Sequence, residues 1–347
     1  MKPSLRVKRV VQRSLRKRGY NLHRLTDEER KTFERHGLRD YPESPEKLFG
    51  ARLERLQVLR RRYADVRLPV AAHSLWASRG ESDSSVDIGW TGVDLANFRG
   101  SAAYVWDYGT LSTEINSMKY YLFTQAVRQR DHLSLLDRLT DDGAFGCLTF
   151  DYAGVGRVSR DLLDSVAEIN FLDRNLDIMQ RDDLRVLDIG AGYGRLAHRM
   201  LEAHSGIESY TCVDAVPEST FLCEFYLEYR GLDQRAEVIP LDQLDARLQP
   251  ANGYNLAINI HSFSECTYAA IEWWLRRIHH LGVRHLLIVP NDPTRFLSLE
   301  LDRSHRDYAP LLKELGYELI VQEPVFEDPQ VQELVGVRDN MFLFELA

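Results

Sequence analysis

The sequence predicts an α/β fold built around a mostly parallel sheet with helices on both faces. From about residue 150 onward, short apolar stretches of strand length alternate with longer stretches of helical periodicity. This alternation is typical of chains in which crossover helices join successive strands. Three alternating glycines and an amphipathic helix directly follow the first strand, as at ligand-binding turns in such sheets.

Seven stretches have the composition of strands. They are residues 184–189, 210–213, 236–239, 256–260, 283–289, 317–322 and 341–345. Apolar side chains recur at helical spacing over residues 268–280, so Trp274 and its neighbours on that face are expected to belong to the core. Residues 120–139 and 158–179 are also expected to be helical, and Ser159 precedes Leu162 as an N-cap residue should. We therefore predict a sheet domain over residues 150–347 and a mainly helical N-terminal region over residues 1–149.

The glycine turn predicts a ligand site. Asp188 precedes Gly190, Gly192 and Gly194, and glycine lets backbone approach a ligand without a Cβ in the way. A dinucleotide site has the spacing G-x-G-x-x-G, whereas Arg195 stands here in the place of the third dinucleotide glycine. A strand-to-helix turn that binds nothing is the alternative interpretation.

The pattern Asp-x-Gly-x-Gly-x-Gly over residues 188–194 resembles motif I of the class I S-adenosylmethionine-dependent methyltransferases. The resemblance implies a Rossmann-like, seven-stranded, mostly parallel sheet whose last strand is antiparallel, with S-adenosylmethionine as cofactor. Residues 158–169, 188–199 and 259–265, with Pro290-Asn291 and Tyr308, further resemble the sugar O-methyltransferases of bacterial glycan and glycosylated natural-product pathways. This likeness extends over roughly residues 90–347.

The resemblance assigns cofactor-binding residues along the strand ends. Asp214 lies 24 residues beyond Gly190, which suits a carboxylate that meets ribose hydroxyls. Asp242 follows the third predicted strand and is expected at the adenine, although an ordinary surface aspartate is the alternative. The expected cofactor-binding residues are Asp188, Gly190, Ala191, Gly192, Gly194, Asp214, Ala215, Asp242 and Ile260.

His261 directly follows the fourth predicted strand, where the acceptor and the methyl group are expected to meet. A neutral imidazole can take the proton from a hydroxyl group near pH 7. A purely structural hydrogen bond is the alternative role. Glu265 can orient His261 or bind an acceptor hydroxyl, and it can equally stabilise a helix N-terminus. His261 and Glu265 are therefore the predicted catalytic residues.

Four residues are predicted to bind the acceptor: Trp106, Tyr108, Ser262 and Asn291. Aromatic side chains suit the apolar faces of sugar rings, but single aromatic residues are more often part of a core. Asp292 and Glu265 are the candidates for a divalent metal that acidifies the hydroxyl. The sequence shows no ligand spacing for such an ion, so we predict no metal site.

Composition restricts the partners. The 347 residues carry a net charge of −8, which gives no reason to expect nucleic-acid binding. Four cysteines without metal-ligand spacing suit a cytoplasmic protein. Between Met1 and Arg24 there are nine lysines or arginines and no acidic residue, a stretch that can contact an anionic membrane surface or pack as a solvated helix on the acidic body.

The expected function is methyl transfer from S-adenosylmethionine to a hydroxyl group of a sugar or glycoside. The sequence has no Asn/Asp-Pro-Pro-Tyr segment after the fourth strand, a segment found in many enzymes that methylate nucleobase amino groups. Another small-molecule hydroxyl or amine is an alternative acceptor. A catalytically silent methyltransferase-like scaffold in a glycan assembly complex is the alternative from another class.

Overall fold

The computed structural model of the protein describes residues 48–71, 95–100 and 113–347. The predicted acceptor residues Trp106 and Tyr108, and the basic stretch 1–24, lie outside these residues. Within the described ranges, none of the helices has the length and apolar character needed to cross a lipid bilayer.

In the part of the chain that the structure describes, nine strands form a hairpin and one seven-stranded sheet. The strands are β1 (Thr149–Tyr152), β2 (Gly156–Ser159), β3 (Arg185–Ile189), β4 (Ser209–Val213), β5 (Ala236–Ile239), β6 (Leu256–Ile260), β7 (His285–Val289), β8 (Tyr317–Pro324) and β9 (Asn340–Leu346). The order in the sheet is β5-β4-β3-β6-β7-β9-β8. Strands β3 to β7 are parallel, and β9 is antiparallel to both of its neighbours. The predicted Rossmann-like methyltransferase fold is confirmed by this topology.

Helices cover both faces of the sheet. The helices are α1 (Leu53–Ala64), α2 (Thr113–Arg130), α3 (Arg160–Leu176), α4 (Arg195–Ala203), α5 (Pro217–Tyr229), α6 (Leu244–Arg247), α7 (Tyr268–His280), α8 (Ala309–Glu314) and α9 (Pro329–Val335). Because successive side chains of a strand point to opposite faces, β3 contributes to two cores. Leu187 packs in one core with Ile271 of α7, and Val186 packs in the other with Leu162 of α3.

Helix α7 has the predicted bounds, whereas α3 is shorter than the predicted helix over 158–179. Val158 is in strand β2 and pairs with Phe150 of β1, so the helix cannot begin there. Ser159 caps α3, as expected, because its hydroxyl accepts a hydrogen bond from the Leu162 amide. The short β1–β2 hairpin was not predicted.

Helix α2 begins and ends earlier than the predicted helix over 120–139. Asp131 follows its last residue, and the Asp131 carboxylate accepts hydrogen bonds from the Leu135 and Leu136 amides at 2.9 and 2.8 Å. These side-chain contacts replace the helical pattern of the backbone. The helix therefore stops at Arg130.

Helix α1 lies against α5 through a row of arginine–glutamate pairs. The pairs run antiparallel along the two helices and join Arg55 to Glu224, Arg60 to Glu218 and Arg52, which directly precedes α1, to Glu228. At the end of α1, the Tyr63 hydroxyl bonds to Thr220 at 2.7 Å and accepts a hydrogen bond from the Leu241 amide at 2.9 Å. The described part of the N-terminal region therefore packs directly on the sheet domain.

A second N-terminal segment, residues 95–100, is buried in the body of the fold. The Arg99 side chain is fully buried and bonds to the carboxylates of Asp141, at 2.5 Å, and Asp161, at 3.0 Å. Asp161 also accepts a hydrogen bond from the hydroxyl of Tyr193. Because Tyr193 belongs to the glycine turn, this ion network connects the N-terminal region to the predicted cofactor site.

Candidate active site

A cavity of about 170 Å³ lies at the carboxyl ends of β3, β4 and β6. Ligands of open α/β sheets bind at this edge. The cavity brings together ten predicted residues from three separate stretches of the chain. They are Asp188, Gly190, Ala191, Gly192, Asp214, Ala215, Ile260, His261, Ser262 and Glu265.

Two of the three glycines in the turn are required by packing. Gly190 has a φ of +74°, and a Cβ there would lie 2.1 Å from the Ser262 hydroxyl oxygen. Gly194 has a φ of +85°, and its Cβ would lie 3.0 Å from the Cys223 sulfur. Side chains at either position would be strained. Gly194 directly precedes α4 and does not line the cavity, so its role is to join the turn to the helix.

The amide groups of the turn are engaged within the protein. The Gly190 and Ala191 amides donate to the Val213 carbonyl at 2.9 and 3.1 Å. The Gly192 amide donates to an Asp214 carboxylate oxygen at 3.0 Å. Phosphate sites at such turns depend on amides that point at the ligand. These three amides therefore do not form a phosphate cradle, which distinguishes the turn from a dinucleotide site.

Asp188 and Asp214 line the cavity, and the pKa values of both carboxyl groups are higher than those of ordinary aspartates. Burial raises the pKa of Asp188 to about 7, against the opposing effect of the Tyr210 hydroxyl, which donates to it at 2.9 Å. Burial likewise raises the pKa of Asp214 to about 7, although the Val216 and Gly192 amides donate to its carboxylate. A cation in the cavity would favour the charged form of both groups.

Arg195 is half-buried at the start of α4 and lines the cavity. Its guanidinium pairs with the Glu168 carboxylate at 2.8 and 2.9 Å and donates to the Ser165 hydroxyl at 2.8 Å. Burial raises the pKa of Glu168, and the charge of Arg195 opposes that rise. The residue in the place of the third dinucleotide glycine thus anchors α4 to α3, since Glu168 and Ser165 belong to α3.

His261 occupies a strained backbone position at the end of β6. Its φ is +63°, which is uncommon for a residue with a side chain. The Asn259 side chain holds this bend, because it donates to the Ile189 carbonyl at 2.9 Å and accepts from the Phe263 amide at 3.0 Å. The His261 amide donates to the Val289 carbonyl at 2.7 Å. Such strain clusters at functional sites.

The two predicted catalytic residues face different neighbours. Glu265 lies close enough to Asp214 for its charge to raise the pKa of that carboxyl further. The Nε2 atom of His261 instead lies 3.6 Å from the Asp339 carboxylate. The Ser262 hydroxyl lines the cavity and bonds to the Asn259 side chain at 2.5 Å.

Besides Gly194, two predicted residues of the described ranges, Asp242 and Asn291, lie outside the cavity lining. Asp242 forms an ion pair with Arg62 of α1 and lines a separate surface depression with Asp65. Asn291 is exposed, and its backbone amide donates to the Ser264 hydroxyl at 3.0 Å. The structure therefore does not bring these two side chains to the predicted cofactor and acceptor positions.

Asp292 and Glu265 were the candidate metal ligands in the sequence, and no metal site was predicted. In residues 48–71, 95–100 and 113–347, the His, Cys, Asp and Glu side chains form no group of three or more that could hold a metal ion. Asp292 bonds to Arg295 at 2.7 Å, and hydrogen bonds from Arg295 and Thr294 hold the pKa of Asp292 at about 2.

Sequence reasoning missed several residues that line the cavity. They are Tyr193, Arg195, Leu196, Val216, Ser219, Phe263, Cys266 and Trp274, with Ile189 of β3. The sequence could have indicated Tyr193, because this residue stands between two glycines of the turn. Trp274 does belong to the core, as predicted, and it also forms part of the cavity wall.

No family model matches the chain, and no curated protein matches it. Solved structures that match include Streptococcus pneumoniae Sp1610, a candidate tRNA (m1A22) methyltransferase, at 13% identity over 52% of this chain and 69% of that chain, with a TM-score of 0.36. M. capricolum TrmK in complex with S-adenosyl-homocysteine matches at 11% identity over 52% and 67%, with a TM-score of 0.35. The [4+2]-cyclase SpnF matches at 14% identity over 66% and 95%, with a TM-score of 0.40. The assignment of the fold rests on the strand order, not on these matches.

Proposed function

We propose that the protein is an S-adenosylmethionine-dependent O-methyltransferase that acts on a hydroxyl group of a sugar or glycoside. The observation that carries the proposal is that an acidic cavity lies beside a glycine turn whose backbone amides already donate hydrogen bonds within the protein. Asp188, Asp214 and Glu265 line the cavity. This lining disfavours a pyrophosphate and suits a ligand that carries an ammonium group and a sulfonium.

The residues present fit the proposed cofactor. Asp188 and the turn would hold the cationic amino-acid end, and the Asp214 carboxylate would accept hydrogen bonds from ribose hydroxyls. Ala215 and Ile260 add small and apolar contacts to the same cavity. When bound, S-adenosylmethionine supplies an electrophilic methyl group. The protein's contribution is to hold the acceptor hydroxyl in line with that group.

His261 is the proposed base. Its imidazole takes the hydroxyl proton while the acceptor oxygen bonds to the methyl carbon and the carbon–sulfur bond breaks, so one proton leaves with each turnover. The strained backbone of His261 and its place in the cavity wall support this role. The sugar acceptor rests on the resemblance of residues 259–265, and the net charge of −8 supports a small molecule over a nucleic acid.

Calorimetry of the full chain tests the cofactor. S-adenosylmethionine and S-adenosyl-homocysteine should bind, whereas NAD should not. A chain that binds neither of the first two would be the silent scaffold, and the proposal would fail.

Mass spectrometry tests the acceptor, with panels of nucleotide-sugars, glycosides, small-molecule amines and unmodified tRNA incubated with S-adenosylmethionine. Methylation of a sugar hydroxyl supports the proposal, and methylation of tRNA or an amine alone overturns it. His261→Ala should retain cofactor binding and lose methyl transfer. Activity that survives a chelator would exclude a metal-assisted route.

A further inference from the structure

Residues 48–71, called the α1 segment below, contact both helices that form walls of the cavity, although none of these residues lines it. Helix α5 contributes Ser219 to the cavity lining, and α7 contributes Trp274. Helix α1 packs on α5, and the turn at Pro69–Ala71 packs on α7. Val70 of this turn is buried in the same core as Trp274. The α1 segment therefore holds two walls of the cavity from outside.

The Tyr63 side chain, near the end of α1, joins the loops that follow β4 and β5. Its hydroxyl accepts a hydrogen bond from the Leu241 amide at 2.9 Å and lies 2.7 Å from the Thr220 hydroxyl. The Thr220 hydroxyl in turn donates to the Asp214 carbonyl at 3.4 Å. Because the Leu241 amide supplies a donor to Tyr63, the Tyr63 hydrogen is available for Thr220. A chain of three hydrogen bonds therefore links the loop after β5 to Asp214.

Asp214 is held through both its side chain and its backbone. Its carboxylate accepts hydrogen bonds from the Gly192 and Val216 amides at 3.0 and 2.8 Å. Its carbonyl accepts from Thr220 and lies 3.5 Å from the Tyr63 hydroxyl. A binding side chain keeps its geometry only when neighbouring groups fix it in place. Tyr63 and Thr220 supply that support from outside the cavity, since neither of them lines it.

Two ion pairs next to Tyr63 reach the same two regions. Arg60 pairs with Glu218, in the first turn of α5, at 2.7 Å. Arg62 pairs with Asp242, in the loop after β5. Both arginines are partly exposed, and exposed ion pairs contribute little stability. Tyr63 is buried, so its hydroxyl is the strongest link between the α1 segment and these loops.

We propose that Tyr63 is a positioning residue for cofactor binding: its hydroxyl joins the loops after β4 and β5 and thereby holds Asp214 where the carboxylate meets the ribose. This inference rests on the proposed function, which places the ribose at Asp214. A residue of the N-terminal region then sets the cofactor affinity without lining the cavity. The effect falls on binding and not on the methyl-transfer step, because Tyr63 contacts no reacting group.

Tyr63→Phe removes the hydroxyl and keeps the ring. In calorimetry of the full-length protein, the Kd for S-adenosylmethionine should rise about 5- to 20-fold. The kcat at saturating cofactor should change by less than about twofold. Tyr317→Phe serves as the comparison, because the buried Tyr317 hydroxyl donates to the Val283 carbonyl at 2.8 Å and does not line the cavity. An unchanged Kd in folded Tyr63→Phe, or an equal rise in Tyr317→Phe, would overturn the proposal.

Thr220→Val tests the next link of the chain and keeps the inference testable if Tyr63→Phe does not fold. Valine has the shape of threonine but cannot donate to Asp214, so the Kd should again rise. In the double variant the rise should be smaller than the product of the two single rises, because both hydroxyls act in one chain. Independent, multiplying effects would contradict this chain.

Hydrogen exchange of the ligand-free protein separates this inference from the proposed function. The Gly192 and Val216 amides, which donate to the Asp214 carboxylate, should exchange at least about threefold faster in Tyr63→Phe than in Tyr317→Phe. Equal rates in the two variants would overturn the positioning role. A wild-type chain that binds no S-adenosylmethionine refutes the proposed function, whereas the exchange rates still decide whether Tyr63 holds Asp214.

Discussion

Tyr210→Phe removes the hydroxyl that donates to Asp188 and leaves the shape of the side chain almost unchanged. The bond is 2.9 Å long and both residues are buried. It favours the ionised carboxylate, because a donor stabilises negative charge. Since burial already raises the pKa of Asp188 to about 7, the loss of this donor changes the charge of the cavity in the neutral range.

The size of the effect follows from the energy of one hydrogen bond. A bond to a charged group contributes about 1.5–3 kcal/mol, which raises the pKa of Asp188 by about one to two units. At pH 7 the ionised fraction of Asp188 then falls from about one half to about a tenth or less. If the cofactor needs the carboxylate, its affinity should fall at least about fivefold at pH 7 and recover to within about twofold at pH 9.

Calorimetry with S-adenosylmethionine between about pH 6 and pH 9 measures this difference. Cofactor binding should also release protons near pH 7, which titrations in buffers of different ionisation enthalpy detect. Tyr254→Phe is the matched control, since the buried Tyr254 hydroxyl bonds to Thr211 at 3.1 Å and not to a carboxylate. An equal loss of affinity at every pH, or no loss in a folded Tyr210→Phe variant, would refute the reasoning.

Three further substitutions test the turn and its surroundings. Gly190→Ala places a Cβ 2.1 Å from the Ser262 hydroxyl oxygen at a φ of +74°. Thermal unfolding should therefore show that the free energy of unfolding falls by at least about 1–3 kcal/mol, and Ser262→Gly should restore part of it. An unchanged free energy of unfolding would contradict the packing role of Gly190. Arg195→Met leaves Glu168 buried without its cation and should lower the free energy of unfolding by about 3–5 kcal/mol at neutral pH. The loss should be smaller in acid, where Glu168 is protonated. An equal loss at both pH values would contradict a stabilising ion pair between Arg195 and Glu168. Asp242→Ala should change cofactor affinity by less than about twofold because the side chain lies outside the cavity, and a tenfold loss in calorimetry would instead place Asp242 at the adenine.

The sheet and the turn were predictable because their signals are local. The apolar runs of Val186, Leu187 and Ile189 mark a buried strand, and the alternating glycines mark the bend after it. Helix α7 was predicted with its observed bounds, since its apolar side chains recur at a helical period and Thr267 caps its N-terminus. The β1–β2 hairpin was missed because its four-residue strands show almost no alternation of burial.

The remaining features depend on contacts between distant parts of the chain. Nothing near His261 in the sequence indicates Asp339, because their approach follows from the direction of β9. Arg99 and Asp161 are ordinary charged residues in the sequence, yet they form a buried ion network behind the turn. Asp242 likewise lies outside the cavity, where its carboxylate forms an ion pair with Arg62 of α1. Composition and spacing carry no information about such partners.

The buried Arg99 network has a consequence for where the chain can be cut. A fragment that begins at residue 150 would keep Asp161 and Arg199 but lose Arg99 and Asp141, to which they bond. Buried charges stripped of their counter-charges cost about 3–5 kcal/mol for each broken pair, a large share of the stability of an ordinary domain. An expression fragment intended to keep the sheet folded should therefore begin upstream of Leu95, and crystallisation trials of shorter pieces should yield unstable protein.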